Sequence, residues 1–265
     1  MRLKPILMAS VTTLALSGLS LTGAQAAQQT QQNRATSQNQ QQATKQNAQN
    51  GKIDLVTWSQ EDLYKGWTAE QMMDQPVYGE NGEQAGTVEN FLIGPKGQIE
   101  SLLLDNPGGF LGIGDATYAV PWKQVQIGQN MRMTVPVTRD NIDQYSVFQP
   151  EQENAAGNRA FRASELIGDF VSLQDVPQYG IVRDLVFNNQ GQMQAVVISP
   201  DVGYGVGGPY AYPYYGYGYG GGWNPGNNYY NLPYNQSEIS QLGPFDYSKL
   251  PYGPPSQQTA QQQNQ

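Results

Sequence analysis

From Trp67 onward, short apolar runs alternate with polar breaks centred on glycine. The densest runs are Ser101-Leu102-Leu103-Leu104 and Ala195-Val196-Val197-Ile198. Runs of this length bounded by turn residues predict strands, and unbroken apolar character predicts that both sheet faces are covered. Each run follows a turn, Pro95-Lys96-Gly97 or Asn188-Asn189-Gln190-Gly191, whose glycine supplies positive φ at a hairpin tip. Two β-hairpins are the first structural expectation.

The hairpins belong to an internal repeat. Sliding the chain by 94 positions (67 to 161) lays 67–114 on 161–208 without a gap, with identities including Ala69/Ala163, Val77/Val171, Gly86/Gly180, Val88/Val182 and Gly97/Gly191. The shared pattern predicts a short helical turn (69–73; 163–167), a strand (76–78; 170–173), a strand from Gly86 or Gly180, and another after Gly97 or Gly191. The first copy continues through a glycine-rich run, 108–115, into Tyr118-Ala119-Val120-Pro121-Trp122. Matching Pro121 to Pro233 places the corresponding strand of the second copy at Tyr230-Asn231-Leu232-Pro233-Tyr234 and leaves a Tyr/Gly-rich insertion at 209–228. Segments 140–145 and 237–242 read as short helices, with Asp140 and Ser237 able to cap their first turns.

The flanks are different. Arg2 and Lys4, an apolar stretch and Ala24-Gln25-Ala26 predict a signal peptide over 1–26, cleaved after Ala26, and hence a periplasmic protein with no stable membrane insertion after signal removal. Residues 27–50 form a Gln/Asn-rich spacer with nothing to bury, and 251–265 a similar tail; both are expected to be disordered. The ordered chain then divides into a first domain at 51–137, a short helix and linker at 138–160, and a second domain at 161–250.

The chain has no cysteine and no histidine, which removes disulfides, thiolate chemistry, Ser-His triads and the usual zinc sites. No catalytic, metal or cofactor-binding residue is predicted, and the chain reads as no enzyme. The net charge is −8, and loss of Arg2 and Lys4 makes the mature chain more acidic still, which disfavours nucleic acid.

Val77-Tyr78 with Gly82, Gly86-Thr87-Val88, Gly97, the 108–115 run and Ala119-Val120-Pro121-Trp122 together resemble the PRC-barrel family. The resemblance covers 67–125 well and 161–250 more weakly. It implies a mainly β fold, two small PRC-type β-barrels in tandem with short helices and disordered termini. It also implies docking onto other macromolecules, with no shared catalytic residues.

Two groups of residues are candidates for interaction. Phe110, Leu111 and Ile113 lie in a glycine loop that lacks the lysine and following helix of a phosphate site. They either cap the open end of a barrel or form an apolar docking loop. Tyr210, Tyr212, Tyr214, Tyr215, Tyr217, Tyr219 and Trp223 stand in an uncharged Tyr/Gly tract that reads as a low-complexity insertion. Displayed rings of this kind stack on sugar faces or self-associate. The expected function is a periplasmic protein-interaction or scaffolding module, acting in envelope maintenance, whose partner is an unidentified envelope protein or polysaccharide; the alternative is a glycan or small-ligand binder using the tract.

Overall fold

The computed structural model describes residues 51–106, 116–138, 140–148, 160–204, 208–216, 222–224 and 228–251, all within one compact unit. The expected signal segment, spacer, glycine loop and most of the tail lie outside them. The fold is mainly β with a few short helices. In chain order the first half supplies β1 (Trp67–Thr68), α1 (Ala69–Met72), β2 (Pro76–Gly79), β3 (Gln84–Ile93), β4 (Ile99–Asn106), β5 (Ala116–Pro121), β6 (Gln126–Ile127), β7 (Met133–Val135) and β8 (Ser146–Val147). The second half supplies β9 (Phe161–Arg162), α2 (Ala163–Leu166), β10 (Phe170–Ser172), β11 (Gly180–Phe187), β12 (Met193–Pro200), β13 (Tyr210–Pro213), β14 (Gly222–Asn224), β15 (Tyr229–Asn231) and α3 (Gln236–Ile239).

Among the described residues these strands make two sheets, ordered β6-β7-β2-β3-β4-β5-β8 and β13-β12-β11-β10-β15-β14. Both are open, so the expectation of closed barrels is corrected. The reason lies in strand length. β2 covers only the first part of the long strand β3, and the edge left at Leu92–Ile93 is taken by β9 from the other half. Reciprocally, β1 pairs with β11, Trp67 against Phe187 and Thr68 against Val186. Each sheet thus protects an exposed edge with a strand lent by the other.

The exchange has two-fold character. Trp67 pairs with Phe187 and Phe161 with Ile93, so each pair maps onto the other when its members are shifted by one repeat interval in opposite directions. The hairpin tips obey the same rule: Gln98 bridges Gln192, while Ile99 N donates to Gly191 O and Met193 N to Gly97 O, both at 2.8 Å. This is isologous contact, normally seen between identical subunits, within one chain.

The glycines at the tips are required twice over. Gly97 and Gly191 have φ of +80° and +77°. A Cβ on Gly97 would lie 2.6 Å from the Tyr214 ring, and one on Gly191 would lie 2.1 Å from the Trp122 indole. The indole Nε1 also donates to Gln190 O at 3.0 Å. Gly191→Ala is therefore expected to lower stability by about 2–3 kcal/mol through strain and displacement of the Trp122 ring. Denaturant unfolding with tryptophan emission as the readout checks this, and an unchanged midpoint would remove the close-packing argument.

The apolar runs behave as their composition requires. Leu102, Leu103 and Leu104 are all inaccessible, as are Val196, Val197 and Ile198. In the second sheet Val196 and Ile198 enter the main core. Ala195, Val197, Val186 and Ala211 face outward and are covered by Leu63, Phe245 and Leu250 from the two flanking segments. The main core spans both sheets, with Trp67 at its centre 4.9 Å from Phe187, 5.3 Å from Phe91 and 5.9 Å from Trp122.

The register corrects the sequence alignment beyond the hairpins. Ser101 pairs with Pro121 in the first sheet, and its repeat mate Ala195 pairs with Pro213 in the second. Tyr118-Ala119-Val120-Pro121-Trp122 therefore corresponds to Tyr210-Ala211-Tyr212-Pro213-Tyr214, and the supposed insertion contains the fifth strand of the second sheet. Parallel pairing of Val77 with Met133 and of Val171 with Tyr230 then equates β7 with β15, which sets Pro233 opposite Pro136 rather than Pro121. The helix caps also differ from expectation. Asn235, not Ser237, caps α3 in a capping box with Glu238, and the turn at Ile142–Gln144 follows Asn141 without a side-chain cap.

Candidate functional site

The predicted interaction residues are placed unevenly. Phe110, Leu111, Ile113, Tyr217 and Tyr219 lie outside the described residues. Tyr210 and Tyr212 sit on β13, 9 % and 0 % exposed, and the Tyr212 hydroxyl is 2.7 Å from that of Tyr179. Burial raises the Tyr212 phenol far above its ordinary range, followed in weight by the proximity of Tyr179. Trp223 is buried against Phe161, ring centroids 4.2 Å apart, and its Nε1 donates to Asp169 Oδ2 at 2.6 Å. Tyr214 and Tyr215 are half-buried: Tyr214 stacks on Tyr230, and Tyr215 N donates to Tyr230 Oη at 2.9 Å. The picture of Tyr210, Tyr212 and Trp223 as displayed rings is thus corrected. Tyr210 and Tyr212 enter the core from β13 and Trp223 from β14, so these three rings are packing residues of the second sheet.

The buried ionisable groups act as struts. Asp184, 1 % exposed at a bulge in β11, accepts from Glu70 N at 3.1 Å and Leu185 N at 2.8 Å. Glu70 opens α1, so this carboxylate ties the second sheet to the helix of the first half. One repeat interval earlier Asn90 does the same for α2. Its Oδ1 accepts from Phe91 N at 3.0 Å and Ser164 N at 3.3 Å, and its Nδ2 donates to Ser164 Oγ at 2.7 Å. Burial is the main reason that the Asp184 carboxyl is pushed up to about 7, against the lowering effect of its hydrogen bonds.

An open groove runs between the segments that flank the sheets. Asp54 turns the entering chain, its backbone oxygen accepting from Trp58 N at 3.0 Å and its Oδ1 from Val56 N at 2.9 Å. Lys52 forms an ion pair with Glu238 and lies 5.2 Å from the centre of the Tyr234 ring, whose hydroxyl donates to Ile53 O at 2.8 Å. The bond from Lys52 is the chief reason the Glu238 carboxyl sits below its ordinary range. At the other end Tyr64 stacks on Phe245 at 5.3 Å and Lys249 lies over the Tyr64 ring. Between these anchors lie two confluent cavities of about 440 Å³ each, sharing Leu55, Val56 and Gln241. Trp58, Leu242 and Pro244 extend the apolar lining, Glu61 and Lys249 supply charge, and Val56 is 73 % exposed. Sequence reasoning missed this groove because its walls lie some 180 positions apart and neither carries a motif, as the 182-residue separation of the Asp246–Tyr64 hydrogen bond illustrates.

Among the described residues no three His, Cys, Asp or Glu side chains cluster as a metal site would require, and no helix is long and apolar enough to cross a membrane. α1 and the strands β2 to β7, which all belong to the first sheet, follow one another in the chain. Residues 69–142 match the PRC-barrel domain. No curated protein matches the chain. The matched stretch begins just after β1 and ends at Ile142, which is 1 % exposed in the turn after β7. It therefore reaches past Val125, where the sequence resemblance stopped, to include β6 and β7. Both the groove and the lent strand β9 come from outside it.

Proposed function

We propose that the chain is a non-enzymatic interaction or scaffolding module of the periplasm, built from two PRC-type units in tandem and acting in envelope maintenance. The observation that carries this reading is the groove, an open channel whose lining mixes apolar side chains (Leu55, Val56, Trp58, Leu242, Pro244) with polar and charged ones, suited to an amphipathic segment of an envelope protein. The reciprocal strand exchange supports it by fixing the groove walls to a single body. The second sheet repeats the β2-β3-β4-β5 order and the parallel β2–β7 pairing as β10-β11-β12-β13 and β10–β15, which supports assigning it to a second PRC-type unit. The alternative, a glycan or small-ligand binder using the rings of the Tyr/Gly tract, is weakened by the burial of Tyr210, Tyr212 and Trp223.

A photo-crosslinking amino acid at Val56 tests the reading in the intact envelope. Discrete protein adducts are expected, reduced at least several-fold by Trp58→Ala in the same chain. Absence of protein adducts, or adducts indifferent to Trp58→Ala, would set the groove aside.

A further inference from the structure

Apart from the groove, the outward face of the second sheet carries an aromatic platform that its own fold does not need. In β10 and β15 alternate residues diverge. Val171 and Tyr230 are fully buried, whereas Phe170 and Tyr229 remain 43 % and 36 % exposed. These two are register partners, with ring centroids 5.7 Å apart and planes 36° apart. Ile181, 38 % exposed, pairs with Phe170 from the next strand. The equivalent row of the first sheet has Pro76 and Thr87, paired in β2 and β3, and Arg132 where the register places Tyr229. The fold thus tolerates polar residues there.

Polar groups stand directly beside the rings. Ser172 and Asn231, two positions further along the same strands and on the same face, are joined by a 2.6 Å hydrogen bond from Ser172 Oγ to Asn231 Oδ1. That bond uses the amide oxygen and leaves the Asn231 Nδ2 hydrogens available to an acceptor. Asp175 is held at the edge by Gln236 N, at 3.0 and 3.3 Å from its two oxygens. Tyr229, Ser172, Asn231, Gln174, Asp175 and Pro177 line a cavity of about 450 Å³.

Size and chemistry together choose the occupant. Three partly exposed side chains present only on the order of a few hundred Å² of apolar surface. A stable protein interface needs about 800 Å² from each partner, so a folded partner is too large a match for the platform. A pyranose ring offers what the site lacks: a flat C–H face for the Tyr229 and Phe170 rings, and peripheral hydroxyls that both donate and accept. Asp175 accepts from such hydroxyls and Asn231 Nδ2 donates to them. The acidic chain, net charge −8, selects against an anionic sugar.

We propose that Tyr229, Phe170, Ser172, Asn231 and Asp175 form a binding site for one or two rings of a neutral saccharide. The site is separate from the groove and uses side chains of β10 and β15 that packing leaves partly exposed. Its test is titration of the full mature chain with chitotetraose and with maltotetraose, followed by backbone amide shifts. At least one probe is expected to saturate with a dissociation constant of about 1 mM or tighter, moving amides in β10, β15 and the turn at Asp175. Tyr229→Ala and Phe170→Ala should each weaken binding at least tenfold with the melting curve kept. The proposal is overturned if neither probe saturates, if the shifts fall elsewhere, or if a folded variant of either ring binds as well as the parent. Capture of protein alone by a photo-crosslinker at position 229 would overturn it in favour of a peptide site.

Discussion

Trp67→Ala is expected to lower the unfolding free energy by about 3–5 kcal/mol and to move one cooperative transition that reports on both sheets. The indole is completely buried, and its neighbours come from both halves: Phe91 and Trp122 from the first, Phe187 from the second. Its strand is also the one that closes the β11 edge, so a cavity there weakens the lent strand and the sheet that receives it. Trp67→Phe separates ring loss from shape change. Phe161 stands at the matching position of the second half, also fully enclosed. The indole Nε1 of Trp67 has no hydrogen-bond partner among the described residues, so its removal forfeits no bond. A cost of about 1–2 kcal/mol is therefore expected for Trp67→Phe. Guanidinium unfolding followed in parallel by far- and near-ultraviolet circular dichroism checks both variants. Two resolved transitions, with only one displaced by Trp67→Ala, would show that the halves fold independently.

The parts of the fold legible in the sequence are those fixed by neighbours along the chain. The hairpins at Gly97 and Gly191, and the doubly covered strands after them, follow from local turn chemistry and apolar density. The strand exchange was not legible, because pairing Trp67 with Phe187 depends on a partner more than a hundred residues away, and periodicity carries no record of edge partners. The Tyr/Gly tract misled for a different reason. Glycine and tyrosine in quantity resemble low complexity, yet Tyr210-Ala211-Tyr212-Pro213 has the alternation of Tyr118-Ala119-Val120-Pro121 and occupies the same place in its sheet. The proline pair chosen for alignment, Pro121 with Pro233, concealed that match. Of the groove, only the lead-in at 51–66 entered the first expected domain, and nothing in its pattern announced a partner beyond Tyr234. The exposed pair Phe170 and Tyr229 becomes distinguishable from its buried neighbours only once the strand faces are assigned.

Asp184→Asn is expected to stabilise the protein above neutral pH and to remove part of its pH dependence. In the folded chain the carboxyl is pushed up to about 7 by burial, whereas an unfolded aspartate titrates near its ordinary value of 3.8. Between those values the folded state holds a proton that the unfolded state has lost. Stability from this group is therefore greatest at and below about pH 4, falls as pH rises towards 7, and is flat above. The span corresponds to about 4 kcal/mol at most, since each pH unit is worth about 1.4 kcal/mol. Other groups shape the same curve. Asp169, raised chiefly by burial, acts in the same direction, and Glu238, lowered by Lys52, loses its contribution as pH falls, so the comparison of variant with parent isolates Asp184. The groups facing it are Glu70 with its partner Arg183, the Thr68 hydroxyl and the Tyr247 hydroxyl. Asn90 shows that an amide performs the same strut role, accepting from the first-turn N–H of the opposite helix and donating to a nearby hydroxyl. At position 184 the Thr68 hydroxyl is the corresponding acceptor. Asp184→Asn should then match the parent near pH 4, exceed it by about 1–3 kcal/mol at pH 8, and give a shallower profile between. Urea unfolding at half-unit pH steps measures the difference. A variant less stable than the parent at pH 8 would mean that the charged form, held by the Glu70 and Leu185 amides and two hydroxyls, outweighs its desolvation, and that this buried carboxylate strengthens the junction between the halves.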